Sequence, residues 1–401
     1  MRGLVLRLLA LGVGLALALV VAELALPFVV DRGACGGQLP FWRPDARVGW
    51  ALVPGAARDA VVCDDHGREV ARHRVEVNAD GLRDRPRRHE RTTGTPRVLV
   101  LGDSYVEAMQ VDFADTFLAR LEARLGVEML NAGVSGYATD NELRAFDVLA
   151  PVWRPDAVVL VVFVGNDVME NGPRLYLKNP HGLPPKPWIG LPEQSPSLAR
   201  CYAGARAAAR VADATPGFVW DASRVVRWSL TAGAGSLLTR LCDDAAGPRL
   251  VPGQGELFGV YGAPETDAWR EAWALTEVHL VELASHVKAT GARFAVVLAP
   301  WQVEYDAASP LHKLFPPRAG RPWDFDYPEA RLGAYLGAHD VAWMSLRPVL
   351  AAHHDATGRT GAYAWDGHWD ADGHVVVATA LEPLVASLVS GRPPPRSDAR
   401  P

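Results

Sequence analysis

One serine, one asparagine and one histidine stand out in this chain, because each sits in a short polar motif of the kind that forms a turn. Ser104 ends Gly102-Asp103-Ser104, Asn166 is the centre of Gly165-Asn166-Asp167, and His368 follows a carboxylate in Asp366-Gly367-His368-Trp369. Between them, Asn131-Ala132-Gly133-Val134-Ser135-Gly136 offers glycines whose backbone N–H groups are unobstructed. A hydroxyl nucleophile, a base oriented by an acid, and donors for a developing oxyanion are the parts that acyl transfer needs. In extended backbone, positions i and i+2 point to one side, so Asp366 can reach the imidazole of His368. His374 is the rival base, with Asp370 or Asp372 beside it, but it falls where a final helix should already have begun. Each motif alone has a plainer reading: a serine or aspartate after a strand is often only a helix cap, and an asparagine a turn residue. Their joint occurrence is what favours chemistry.

The surrounding pattern explains how these motifs could meet. Arg97 to Leu101, Val127 to Leu130 and Ala157 to Val164 are apolar runs of strand length, each ending in one of the motifs. Helical spacing follows them, at Phe117, Leu118, Leu121 and Leu125 and again at Leu143, Phe146 and Leu149. Alternating strands and helices predict a parallel sheet covered on both faces. All strand C-termini then lie along one edge, where sites form. Alternation lapses over about 170–265, which is proline-rich from His181 to Pro196 and then helical near 197–213 and 220–242, so an insertion beside the active edge is expected. It resumes with a helix through Trp269, Trp273, Leu280, Leu283 and Val287, a strand from Phe294 to Leu298, another from Val341 to Met344, and a last helix starting near Ala371. Before the sheet, Val75-Glu76-Val77 reads as a strand, Asn78 to Gly81 as a turn, and the basic stretch Arg83 to Arg91 as a solvated linker.

At these residues the chain resembles the SGNH/GDSL hydrolase family. Gly102-Asp103-Ser104 is similar to its first block, with Tyr105 in place of leucine; Gly136 is similar to the glycine of the second block, Asn166 to the third, and His368 to the fourth. The Asp-x-His-Trp form, in place of the more usual Asp-x-x-His, looks like a membrane-anchored branch that includes alginate O-acetylation proteins. The resemblance covers roughly 97–167 and 340–385. It implies a three-layer α/β/α, flavodoxin-like SGNH hydrolase fold and an acyl-enzyme mechanism. Ser104 would attack an ester carbonyl, His368 would shuttle the proton, and Asp366 would hold the imidazole. The oxyanion would lie among the Ser104 N–H, the Gly136 N–H and the Asn166 amide. Asp103 and Asp167 are expected to brace loops, and His353-His354-Asp355 to be an exposed helix end rather than a metal site. Trp301, Gln302 and Tyr305 follow the fourth strand, and Trp301 and Tyr305 are candidates to contact substrate. No phosphate loop or GxGxxG motif occurs, so neither a cofactor nor a metal is expected.

Composition narrows the function classes. Forty-one basic against 46 acidic residues leave a net charge of −5, which argues against nucleic-acid partners. Arg2 and Arg7 precede a nearly unbroken apolar run from Leu8 to Val30, interrupted only by Glu23. That run is long enough to span a bilayer, with the remainder exported by the positive-inside rule; a cleaved signal peptide or a buried helix are the other readings. Cys35, Cys63, Cys201 and Cys242 lack metal-type spacing and allow three pairings, of which Cys35–Cys63 with Cys201–Cys242 joins near neighbours. The expected organisation is an anchor or signal (1–32), a small extension with strands and a linker (33–93), the hydrolase-like domain (94–392), and a disordered proline-rich tail (393–401). The leading expectation is a single-pass, periplasmic serine esterase acting on acyl groups, chiefly acetyl, of a cell-envelope glycan. An O-acetyltransferase, a lipase or thioesterase, and a non-catalytic envelope scaffold are the alternatives.

Overall fold

The computed structural model describes residues 41–64, 66–177, 186–190, 196–234, 237–238, 242, 258–315, 317 and 322–392, and, within the N-terminal run, 11, 14, 17, 18 and 20–25. Cys35, the tail 393–401 and much of the proline-rich stretch 181–196 lie outside the described residues.

Two antiparallel hairpins come first, β1 (Trp42–Asp45) with β2 (Gly49–Leu52), and β3 (Ala57–Cys63) with β4 (Glu69–Glu76). The main sheet holds β5 (Arg97–Gly102), β6 (Glu128–Gly133), β7 (Ala157–Phe163), β8 (Arg293–Ala299) and β9 (Ala342–Ser345), all parallel, in the order β6-β5-β7-β8-β9. Counted within that sheet the order is 2-1-3-4-5, the flavodoxin-like arrangement, whose switch point lies between the first and third strands. Those are β5 and β7, the strands that end at Ser104 and Asn166.

Every residue of β5 and β7 is buried. Alternate residues feed two separate cores, as strand geometry requires. Leu99, Leu101, Leu130, Leu160, Val296 and Leu298 face one side, with α3 (Thr139–Trp153), α9 (Asp267–Ala289) and α10 (Tyr327–Ala338). Val98, Val100, Met129, Val159, Val161 and Val297 face the other, with α2 (Phe117–Leu125), α11 (Arg347–Thr357) and α12 (Ala371–Ser390). The protein is therefore three-layered. Among the described residues α12 is the one helix long and apolar enough to cross a membrane, yet its buried face, including Val377, Leu381, Leu384 and Leu388, fills the second core.

The N-terminal hairpins are not an appendage. Phe41, Trp50, Leu52, Val75 and Leu82 belong to the same apolar cluster as Leu99 and Leu130. The stretch Arg83–Arg91 is exposed at 85, 86 and 88–91, as a solvated linker would be, but two of its arginines turn inward. Arg83 is 1% exposed, and its guanidinium donates to the carbonyls of Glu107 and Ala108, both at 2.6 Å, and of Val111 at 2.5 Å. Arg87 is also buried, between Asp84 and Glu122. These arginines enter because the carbonyls at and beyond the end of the Ser104–Glu107 turn, and buried carboxylates, need donors, a long-range demand that local composition does not reveal.

In the inserted region α6 (Pro196–Asp213) is followed by α7 (Gly217–Ala222) and α8 (Arg224–Trp228). A disulfide joins Cys201 to Cys242, and Cys63 is also disulfide-bonded.

Candidate active site

Ser104 opens the one-turn helix α1 (Ser104–Glu107), directly after β5. Asp103 caps it, its carboxylate accepting the Tyr105 N–H at 2.9 Å. The turn can lie flat on the sheet because Gly133 of β6 has no side chain: a Cβ there would sit 2.3 Å from the Glu107 nitrogen and 2.6 Å from the Val106 carbonyl carbon. Asp103 is wholly buried, and desolvation raises its pKa to about 6, against the lowering effect of the Tyr105 N–H and the His368 charge.

His368 arrives from a loop 264 residues later. Its Nε2 is 2.7 Å from Ser104 Oγ. Its Nδ1 is 3.3 Å from Asp366 Oδ2, long and poorly aligned for a charge-assisted hydrogen bond, as is common before substrate binds. Asp366 Oδ1 meanwhile accepts the His368 backbone N–H at 2.9 Å, so the Asp-x-His motif orders its own turn. Burial pushes the imidazolium down, but the hydrogen bond and charge of Asp366, helped by Asp103 and Glu107, outweigh it and leave the His368 pKa raised. Tyr105, the departure from leucine, has a structural use here. Its ring lies between Phe163, at 4.3 Å, and His368, at 5.0 Å. Its hydroxyl donates to the Gly367 carbonyl at 2.8 Å, which ties the nucleophile turn to the histidine loop.

Gly136 lies in the loop after β6 with φ of +77°, a conformation that favours glycine. The loop is held from two sides. Glu107, buried at the end of α1, accepts the Ser135 N–H at 2.5 Å and also the Ser135 hydroxyl; desolvation raises its pKa to about 7. From the hairpin β1–β2, the Trp50 indole donates to the Ser135 carbonyl at 3.0 Å, and the Tyr137 hydroxyl donates to the Trp50 carbonyl at 2.5 Å. Neither Glu107 nor Trp50 was legible as a site residue in the sequence.

Asn166 follows β7 and stands at the N-cap position of α4 (Asp167–Asn171), where its side chain makes no capping hydrogen bond. Its side chain hydrogen-bonds the buried Glu170, whose pKa rises to about 8, first through desolvation. Asp167 accepts the Phe163 N–H at 2.9 Å, the loop-bracing role expected of it. Burial, then repulsion from Asp103, Glu142 and Glu170, raises its pKa well above the ordinary value.

His374 is buried on α12, stacked on Phe117, and its Nδ1 accepts the Phe117 N–H at 3.3 Å. Desolvation lowers its pKa to about 3, so it stays neutral. Trp301 packs under the histidine loop, where a Cβ on Gly367 would meet its Nε1 at 2.2 Å, and the Tyr305 hydroxyl donates to the Thr360 carbonyl at 2.9 Å. Both support the loop. His353 and His354 face different carboxylates, Asp372 at 3.0 Å and Asp306 at 3.7 Å.

A cleft of about 300 Å³ adjoins the site, bounded by Asp366, Ser135, Met109, Gln110 and, from the N-terminal hairpins, by Trp42 and Val61. Trp42 in turn packs against Trp220 of α7, ring centroids 5.9 Å apart, so the insertion backs the cleft wall. A larger cavity, of about 1240 Å³, includes Arg91, Asp156 and Arg293 at the opposite edge of the sheet, where the strands begin.

No family model and no curated protein matches the chain. Among solved structures it is similar to a member of the lipolytic protein G-D-S-L family from Veillonella parvula (11% identity, TM-score 0.35, covering 71% of this chain and 94% of that one). It is also similar to a catalytic mutant of the acetylxylan esterase Axe2 from Geobacillus stearothermophilus (12%, 0.36, 73% and 94%). A third neighbour is TesA (16%, 0.35, 71% and 96%). At these identities and TM-scores the likeness assigns no role to any residue of this chain; what the structure itself brings together at the switch point of a 2-1-3-4-5 sheet is a serine, a histidine and an aspartate.

Proposed function

We propose that the protein is a serine ester hydrolase of SGNH/GDSL type. The observation that carries the reading is the 2.7 Å contact between Ser104 Oγ and His368 Nε2, with Asp366 on the far side of the ring. Ser104 Oγ adds to the ester carbonyl as its proton passes to His368 Nε2. The imidazolium, stabilised by Asp366, then protonates the leaving alcohol as its bond to the acyl carbon breaks. Water, deprotonated by the same imidazole, attacks the acyl-enzyme and releases the acid. The Ser104 and Gly136 N–H groups and the Asn166 amide receive the oxyanion, each such donor contributing about 3 kcal/mol to the transition state.

The substrate we infer is an acyl ester, acetyl above all, of a cell-envelope glycan met outside the cytoplasm. Arg2 and Arg7 ahead of the apolar run support an anchor with the domain exported. So do the exposed Leu11, Leu17, Val20, Val21 and Leu24 of the helical N-terminal positions, and disulfides suit an oxidising compartment. The test is hydrolysis of aryl acetate, of longer-chain aryl esters and of an acetylated oligosaccharide by the full chain, with products identified. Acetate release that Ser104→Ala abolishes is expected. Acetyl appearing on an added oligosaccharide acceptor would make the protein a transferase, and no turnover of any ester would sink the proposal.

A further inference from the structure

The large apolar side chains that remain exposed are concentrated in two places far apart in sequence. One is the N-terminal helical run. The other is the insertion, where Phe218 is 76% exposed, the highest value among the large apolar residues described, with Leu237 at 63% and Val211 at 59%. Single exposed apolar residues are ordinary on a soluble surface. What distinguishes these is a direct link between the two places. Glu23, the one charge in the apolar run, accepts the Ser223 hydroxyl at 3.0 Å and the Val225 N–H at 3.1 Å. Ser223 caps α8.

Depth comes from helical rise. Glu23 lies twelve residues beyond Leu11, where the described run begins, about 18 Å of helical rise and so past the midplane of a hydrocarbon core of ~30 Å. A carboxylate there is costly in lipid unless protein donors meet it. The α8 cap supplies those donors, so the cap stands at the level of the outer leaflet. Phe218, in α7, is five residues before Ser223, within about 8 Å of that cap along a helix axis, and its ring is exposed.

We propose that α7, α8 and the side chains of Val211, Phe218 and Leu237 form a platform resting in the outer leaflet of a lipid bilayer, locked to the membrane helix by Glu23. The proposal rests on reading the N-terminal run as a retained anchor. Because Trp220 of this platform packs on Trp42 of the cleft wall, the cleft stands beside the bilayer, and the ester it receives is one held at the lipid surface.

The test uses the full chain reconstituted into phosphatidylcholine–phosphatidylglycerol vesicles whose acyl chains carry a nitroxide. Phe218→Cys and Leu237→Cys, each bearing an environment-sensitive fluorophore, are compared with Leu17→Cys in the anchor. Ala356→Cys at the exposed end of α11 is the control, with circular dichroism verifying the fold of each. Labels at 218 and 237 should be quenched several-fold more than the label at 356, as the label at 17 is. Quenching at 17 with none at 218 and 237 would overturn the platform and leave the anchor standing. No quenching at any position would remove the anchor, and the platform with it.

Discussion

If Ser104, His368 and Asp366 act as one unit, removing any of them disables the step the others serve. Ser104→Ala and His368→Ala should therefore each abolish most aryl-ester turnover, and the double variant should lose little more. Asn166→Ala should lower kcat by roughly a hundred- to a thousand-fold. A serine-reactive probe should label Ser104 only when His368 is present; labelling without it would break the assignment. The raised pKa of His368 gives a second handle. The base must be neutral to accept a proton, so kcat/KM rises as pH climbs through that pKa. Asp366→Asn removes the charge that raises it, so the acid limb should shift to lower pH while the plateau falls. A limb that stays in place would dissociate Asp366 from the imidazole. His374 is structural instead. Cutting its buried ring from between Phe117 and the core should cost about 2–4 kcal/mol of stability, with the pH limb unmoved.

At the scale of elements, the Cys201–Cys242 bond spans a sequence separation of 41. In the chain-entropy model a loop of that size contributes about 3–4 kcal/mol. Peptide mapping without reduction should recover the pair, and Cys201→Ser with Cys242→Ser should lower Tm while leaving the circular dichroism of the sheet intact. The five parallel strands were legible because each is a short apolar run, three of them closed by a turn motif, and α12 because Asp370 caps it just before Ala371. The four motifs were legible for the same reason, since a turn that must present a side chain restricts its residues. The supports were not. Arg83 looks like surface until the carbonyls of Glu107, Ala108 and Val111 come to meet it. Trp301 and Tyr305 read as a sugar site from their place after a strand, and that same position also sets them against the histidine loop, a contact the sequence did not reveal. Glu107 carried no signal, because a glutamate three residues after a serine is unremarkable until Ser135 folds back onto it.

For the whole molecule, buried carboxyls set the response to pH. Glu107 is raised to about 7, and Glu170 and Glu304 to about 8, in each case first through desolvation. The folded state holds protons there that the unfolded state has released, so stability should fall as pH rises from about 5 to 8. His374 works the other way, but only below its unfolded value of 6.5 and down to about 3, where the unfolded chain binds a proton that the native ring refuses. Glu304→Gln keeps an acceptor for the Trp301 N–H and the Tyr261 hydroxyl. It should flatten the decline in Tm across pH 5 to 8, and an unchanged slope would place that proton elsewhere. The bond from the Trp50 indole to the Ser135 carbonyl bears on how such a protein is handled at the bench. A recombinant fragment cut to residues 94–392 would keep all five sheet strands and every motif residue, yet lose the indole, the carbonyl that receives Tyr137, and one wall of the cleft. Such a fragment would also lose Phe41, Leu52, Val75, Leu82 and the buried Arg83 from the core, and would return false negatives in a substrate screen, because the Gly136 loop would keep Glu107 on one side and lose its support on the other.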